Sequence, residues 1–237
     1  MKSILKKLST LLVLSLVVLS QSSCASRSAA DETERNFEIG SFSQLYLKGN
    51  FRIVLEQAKQ PGLRIQANEG AFDDLVVDLD SFSNQLRITR EKIDFQRPVL
   101  YIRFVDLENI HIEGGVKLET KGYIDLSEFH LRVDGGATLR MQVKADYIGV
   151  TGSGGVNFVF EGVTDYFQAL ISGVGYLDAG NLQASHADIE IEGGGFALVN
   201  ASNTLKATVE GVGKIRYKGH PQLDERVEGL GSITREY

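Results

Sequence analysis

The chain has no tryptophan, 3 prolines, 1 cysteine and 4 histidines in 237 residues. A single cysteine excludes an intrachain disulfide and any cluster of thiolate metal ligands. His111, His130, His186 and His220 never fall at the HxH or HxxxH spacing that makes a ligand pair, so no metal site and no cofactor is expected. There is no GxSxG elbow, no zinc-protease motif and no Cys/His pair for covalent chemistry. Positive charge is also lacking: the formal net charge is -6, which argues against a nucleic-acid partner. No segment carries a helical period longer than two turns, and so few prolines leave long stretches free to pair as strands.

One apolar run stands out, from Leu8 to Leu19. It follows Lys2, Lys6 and Lys7 and ends in Ser20-Gln21-Ser22-Ser23-Cys24. A basic start, an apolar stretch of about a dozen residues and a small-residue end are the marks of a secretory signal, too short to span a bilayer comfortably. Cys24 follows two small residues, as does the acylated cysteine of the bacterial lipobox, although Gln21 stands where that motif usually has an aliphatic residue. Cleavage before Cys24 would remove three lysines and no acidic residue, moving the net charge from -6 to -9. The expectation is a signal peptide over 1–23, a lipidated Cys24 with a flexible tether over 24–36, and a folded part over 37–237. Membrane attachment would then be through the lipid, at the outer membrane facing either the periplasm or the surface. Ordinary secretion with a spare thiol is the alternative.

What the chain has in quantity is glycine, 25 residues. Between Ile112 and Ile233 one phrase recurs seven times: IEGGVKL at 112–118, VDGGATL at 133–139, VTGSGGV at 150–156, ISGVGYL at 171–177, IEGGGFA at 191–197, VEGVGKI at 209–215 and VEGLGSI at 227–233. The steps are 21, 17, 21, 20, 18 and 18 residues, a period of about 19 that belongs to the short end of solenoid repeats. Within each phrase apolar residues and glycine alternate with polar ones, the period of a strand with one face turned inward. Glycine at the third and often the fifth position is expected to keep a narrow lumen and let the chain bend. The pattern predicts an all-β fold: a parallel β-helix of about seven regular coils over 106–237, behind an irregular β-rich cap over 37–105. Leu47-Lys48-Gly49-Asn50-Phe51-Arg52-Ile53 fits the same template inside the cap, and Glu69 to Leu75 is expected to give a turn or two of helix.

FEIGSFSQLYLKGNFRIVLEQ, the run LRITREK, LYIRFVDLENIHIEGGVKL and the GxG phrases ending in VEGLGSI resemble the GIN domain, the head domain of auto-transporter adhesins, over roughly residues 37–237. The resemblance implies a structural repeat, an envelope location, often in lipoproteins, and a role in adhesion. It supplies no catalytic residues.

The second position of the phrases is acidic at Glu113, Asp134, Glu192, Glu210 and Glu228. Stacked at strand spacing these carboxylates repel, so they form either a ladder for a cation or a solvated face. GSG at 152–154 and GVG at 173–175 and 211–213 recur with the period and precede strands, so they are not phosphate loops. A β-helix can carry a polysaccharide lyase or hydrolase, but the short steps leave no room for lid loops, and the only dense acidic group, Asp73-Asp74 with Asp78 and Asp80, falls in the cap. Tyr176 and Phe196 share the sixth position of consecutive phrases, and Tyr217 follows in another unit. They are the expected ligand-binding surface, for a surface glycan or a protein, or else a ring pair that steadies the sheet. The function expected is therefore a non-enzymatic envelope protein that adheres or binds, with carbohydrate processing or carbohydrate binding as the alternative.

Overall fold

In the computed structural model, which describes residues 32–92 and 97–236, apolar side chains at alternate positions turn inward along nearly the whole chain. In β2 (Gln44–Gln57) these are Leu45, Leu47, Phe51, Ile53 and Leu55. β7 (Asn109–Asp125) continues the set with Ile110, Ile112, Val116 and Leu118. A single run, β8 (Glu128–Lys218), keeps the alternation for 91 residues, and β9 (Gln222–Gly229) and β10 (Ser232–Arg235) close the series. The expected short strands are thus merged into one bent ribbon. No α-helix occurs among the described residues; the helical turn expected over 69–75 is a 3-10 turn at Glu69–Phe72.

Pairing along this ribbon is parallel and holds one register. β2 pairs with β7 from Gln44 opposite Asn109 to Leu55 opposite Thr120. β7 pairs with β8 from Asn109 opposite His130, with a bulge between Glu119 and Tyr123. β9 and β10 pair with the end of β8 at Gly211 opposite Gly229 and Ile215 opposite Ile233. Parallel strands buried on one face and set rung on rung give a solenoid-like region. Its first rung is β2, N-terminal to the boundary expected near residue 106.

The segment between β2 and β7 closes the N-terminal end. β5 (Gln85–Arg90) and β6 (Val99–Phe104) lie parallel to β2 on its free edge. β4 (Leu75–Asp80) then adds antiparallel to β5, and β3 (Gly62–Asn68) antiparallel to β6. Arg90 is buried here and its Nε lies 3.1 Å from Asp74 Oδ1, so the burial of its charge is compensated by a hydrogen-bonded partner.

β1 (Glu32–Phe37) pairs antiparallel with β3, so residues 32–36 of the tether expected over 24–36 are a strand of the folded part. Its alternating charges lack an apolar period, but Glu34 meets Arg64 at 2.9 Å, Glu32 accepts from Gln66 at 2.6 Å, and Arg35 lies over the Phe72 ring. Long-range pairing holds what local sequence leaves loose. The signal segment and Cys24 lie outside the described residues.

A column of glycines runs the length of the stack: Gly49, Gly114, Gly135, Gly154, Gly173, Gly193, Gly211 and Gly229, all at positive φ. A Cβ at Gly173 would lie 2.8 Å from Gly154 O, and a Cβ at Gly135 would lie 2.5 Å from Gly114 O. The column therefore serves close backbone approach between rungs at a left-handed corner, and does not line the lumen as expected. It also corrects the third phrase. Gly154, not Gly152, occupies the column, so the unit reads GSGGVNF at 152–158 and the steps around it even out. A slip of two residues preserves the alternation, which is why periodicity alone could not separate the two registers.

Gly152 instead takes the buried first position, held elsewhere by Leu, Ile or Val, and a Cβ there would lie 2.9 Å from a Phe158 ring carbon. Interior volume is exchanged between positions of one rung. The fifth position shows the same trade: Phe51, Val116, Ala137 and Val156 in early rungs, then Gly175, Gly195, Gly213 and Gly231. Branched residues lie over those later glycines; a Cβ at Gly213 would sit 3.1 Å from Val209 and 3.2 Å from Ile191.

Candidate binding surfaces

The glycine column divides two outward surfaces. On the side before it stand the second-position residues, in register as Lys48, Glu113 and Asp134 at one end and Glu210 and Glu228 at the other. Most of the acidic ladder is answered by protein cations. Arg132 donates to Asp134 at 2.8 and 3.1 Å, and His111 Nε2 lies 2.9 Å from the same carboxylate. The hydrogen bond from Arg132, with help from His111, holds the Asp134 carboxyl below its ordinary range despite partial burial. Arg226 donates to Glu228 at 2.9 Å, and Glu228, with Glu210 and Glu190 nearby, raises the Arg226 pKa.

The carboxylates of Glu190, Glu192 and Glu210 come together with oxygens within 4.8 Å of one another. Ser172 Oγ donates to Glu192 at 2.8 Å. Arg226 interacts electrostatically with Glu190 and Glu210 of this group. Of the expected cation ladder, Glu192 and Glu210 are in this group; Glu113 and Asp134 are one rung apart at the other end.

The sequence reading missed a column of rings on this side. Tyr147 and Tyr166 stack with centroids 5.8 Å apart, Tyr166 stacks on His186 at 6.3 Å, and His186 Nδ1 lies 2.8 Å from Thr204 Oγ1. Steps of 19 and 20 residues were the available signal, but the phrases were aligned on glycine and the column lies upstream of them. Beside it runs a groove of about 480 Å3 lined by Gln44, Asn109, His111, His130, Arg132 and Tyr147 among others. None of its lining residues is a carboxylate, so it lacks the pair used in glycosidic hydrolysis.

Beyond the glycine column the surface changes character. Tyr176 and Phe196 stack at 5.4 Å with 14° between their planes, and Arg216 lies 5.8 Å from the Phe196 centroid. Tyr176 is 42% exposed, and Val174, Val212 and Leu230, at the fourth position of their rungs, are 72%, 64% and 80% exposed. Single exposed aliphatics are ordinary, but three at one position of the repeat next to a ring pair form an apolar stripe. The expected pair is thus brought together; Tyr217 is not part of it and packs against the core. Val174, Val212 and Leu230 share the fourth position of their phrases, so the stripe is legible in the sequence.

The side of Tyr176 away from Phe196 borders an open groove of about 720 Å3, lined by Lys117, Thr138, Asn157, Arg97, Gly136 and Gly155 among others. A Cβ at Gly136 or Gly155 would meet nothing within 4 Å. At these two positions the groove wall is bare backbone.

Comparison with known proteins follows the fold closely. A crystal structure described as a putative adhesin from Bacteroides fragilis is similar at a TM-score of 0.82, with 22% identity over 86% of this chain and 97% of that one. A putative adhesin from Parabacteroides merdae is similar at 0.67, with 20% identity over 87% and 96%. A putative lipid binding protein from Parabacteroides distasonis is similar at 0.63, with 20% identity over 87% and 97%. No curated protein matches. Residues 41–221 match the family described as putative auto-transporter adhesin, head GIN domain, and the chain belongs to that family.

Proposed function

We propose that this chain is a non-enzymatic envelope protein: a capped parallel β-helix, carried on a lipid at Cys24, that adheres through the surface beyond its glycine column. The observation that carries the reading is the Tyr176–Phe196 stack set beside exposed Val174, Val212 and Leu230. Aromatic and aliphatic side chains repeated at rung spacing suit a partner that lies along the stack, and stacked rings are already fixed before binding. Family membership supports adhesion as the role. The absence of carboxylates from the groove beside the ring column supports binding over turnover.

The test is attachment. Beads coated with the full chain are expected to bind an epithelial monolayer, and the double variant Tyr176→Ala, Phe196→Ala to fall to the level of uncoated beads. Equal attachment by wild type and variant overturns the surface assignment, and release of reducing ends from a polysaccharide panel overturns the non-enzymatic reading. The anchor is tested separately. Cys24→Ser is expected to move the protein out of the membrane fraction and abolish incorporation of labelled palmitate; a wild-type protein found soluble refutes it.

A further inference from the structure

The two surfaces divided by the glycine column differ in charge. In register on the far side, the sixth and eighth positions hold Arg52, Lys117, Arg140, Lys214 and Arg216 against Glu119 and Asp178. Arg97 borders the same groove. This basic surface belongs to a chain whose net charge is -6, while the near side carries Glu113, Asp134, Glu190, Glu192, Glu210 and Glu228. Of the basic set, Arg52 lies 3.6 Å from Glu119. Lys117, Arg140 and Arg97 form no ion pair with a described residue.

We propose that the groove beside Tyr176 binds a linear acidic glycan running along the stack, a deepening that rests on the adhesive surface proposed above. Each part of the groove answers one part of such a ligand. Lys117 and Arg97 line the groove and face its carboxylates or sulfates at the early end. Thr138 and Asn157, at the next two rungs of the same column, offer a hydroxyl and an amide that both donate and accept, as vicinal sugar hydroxyls require. Tyr176 then ends the column with a ring whose partner face is already covered by Phe196, leaving the groove side for the apolar face of a sugar.

The bare backbone at Gly136 and Gly155 lets a flat ring lie against it. From Lys117 to Tyr176 is three rungs, about 14 Å at about 4.8 Å each, which takes a short run of sugar units. A nucleic acid is less well matched: Tyr176 is the one aromatic residue among those lining this groove, and one ring face serves one base where successive stacking needs a row.

The experiment titrates the full chain with a polygalacturonate hexasaccharide, a heparin-derived hexasaccharide, neutral cellohexaose and a thymidine hexanucleotide, by calorimetry at two salt concentrations. At least one acidic sugar is expected to bind, at least tenfold more tightly than cellohexaose or the oligonucleotide, and more weakly at the higher salt. The two acidic probes distinguish carboxylate from sulfate. Lys117→Gln and Tyr176→Ala are each expected to lower that affinity at least tenfold while Tyr176→Phe retains it, with melting temperatures checked for every variant. Failure of both acidic sugars to bind, equal binding of cellohexaose or oligonucleotide, or unchanged affinity in Lys117→Gln overturns the proposal. Bead attachment that depends on Tyr176 without any acidic sugar bound leaves the adhesive surface standing and sinks the glycan.

Discussion

Up to residue 167 the interior is filled with phenylalanine: Phe42, Phe51, Phe104, Phe129, Phe158, Phe160 and Phe167 are all buried. Beyond it there is no buried phenylalanine, and Ala169, Ala179, Ala184, Ala187, Ala197, Ala201 and Ala207 take over. The outer plan of the rungs does not change across this border, since the glycine column and the alternation run through it. What changes is how space is filled. Early rungs place a side chain at the fifth position, Phe51, Val116, Ala137 or Val156; later rungs set glycine there and lean a branched first-position side chain over it. The backbone geometry is thus fixed by approach between neighbouring rungs, and the side chains fit themselves to the lumen that results. Close packing tolerates either solution but not an unmatched volume.

That contrast can be broken at three sites, in decreasing order of effect. Phe51→Ala removes a ring that is fully buried. A loss of about 3–5 kcal/mol is expected in chemical denaturation; a loss below about 1 kcal/mol would show that the early rungs can collapse as the later ones have. Gly154→Ala places a Cβ against the carbonyl of Gly135 at a φ of +110°, so a cost of about 1–3 kcal/mol is expected from backbone strain. Gly155→Ala, one residue on, meets nothing within 4 Å and is expected to leave the melting temperature unchanged or to add up to about 1 kcal/mol of stability. Equal effects at the two adjacent glycines would place the corner elsewhere.

Much of this was legible in the residues. Alternation gave the inward set, and the spacing of Gly114, Gly135, Gly173, Gly193, Gly211 and Gly229 gave the stack. The template at 47–53 marked the first rung although the segments after it interrupt the repeat. Three things were hidden for physical reasons. The third register was ambiguous because Gly152 and Gly154 have the same parity, and only the positive φ of the column chooses between them. The strand at Glu32–Phe37 has no apolar period and is held by pairing to residues some thirty positions away. The Tyr147–Tyr166–His186 column repeats with the stack but outside the phrase that defined it. At the candidate surface, the pairing of Tyr176 with Phe196 followed from their shared position. Its basic setting did not, since net charge averages over two surfaces of opposite sign.

The first rung has a further consequence for how the chain finds its register. Gly49 lies opposite Gly114, 65 residues later, whereas the rungs from β7 onward follow one another after 18 to 21 residues. Bringing the ends of that longer segment together costs about 1 kcal/mol more than closing a later rung, by the logarithmic dependence of loop entropy on length. Connectivity therefore does less to align β2 with β7 than it does anywhere further along. The alignment rests instead on side-chain shape, and β2 carries the means for it in Leu45, Leu47, Phe51, Ile53 and Leu55, none of them more than 1% exposed. Where the chain's own length guides the fold least, a row of fully buried side chains does the aligning.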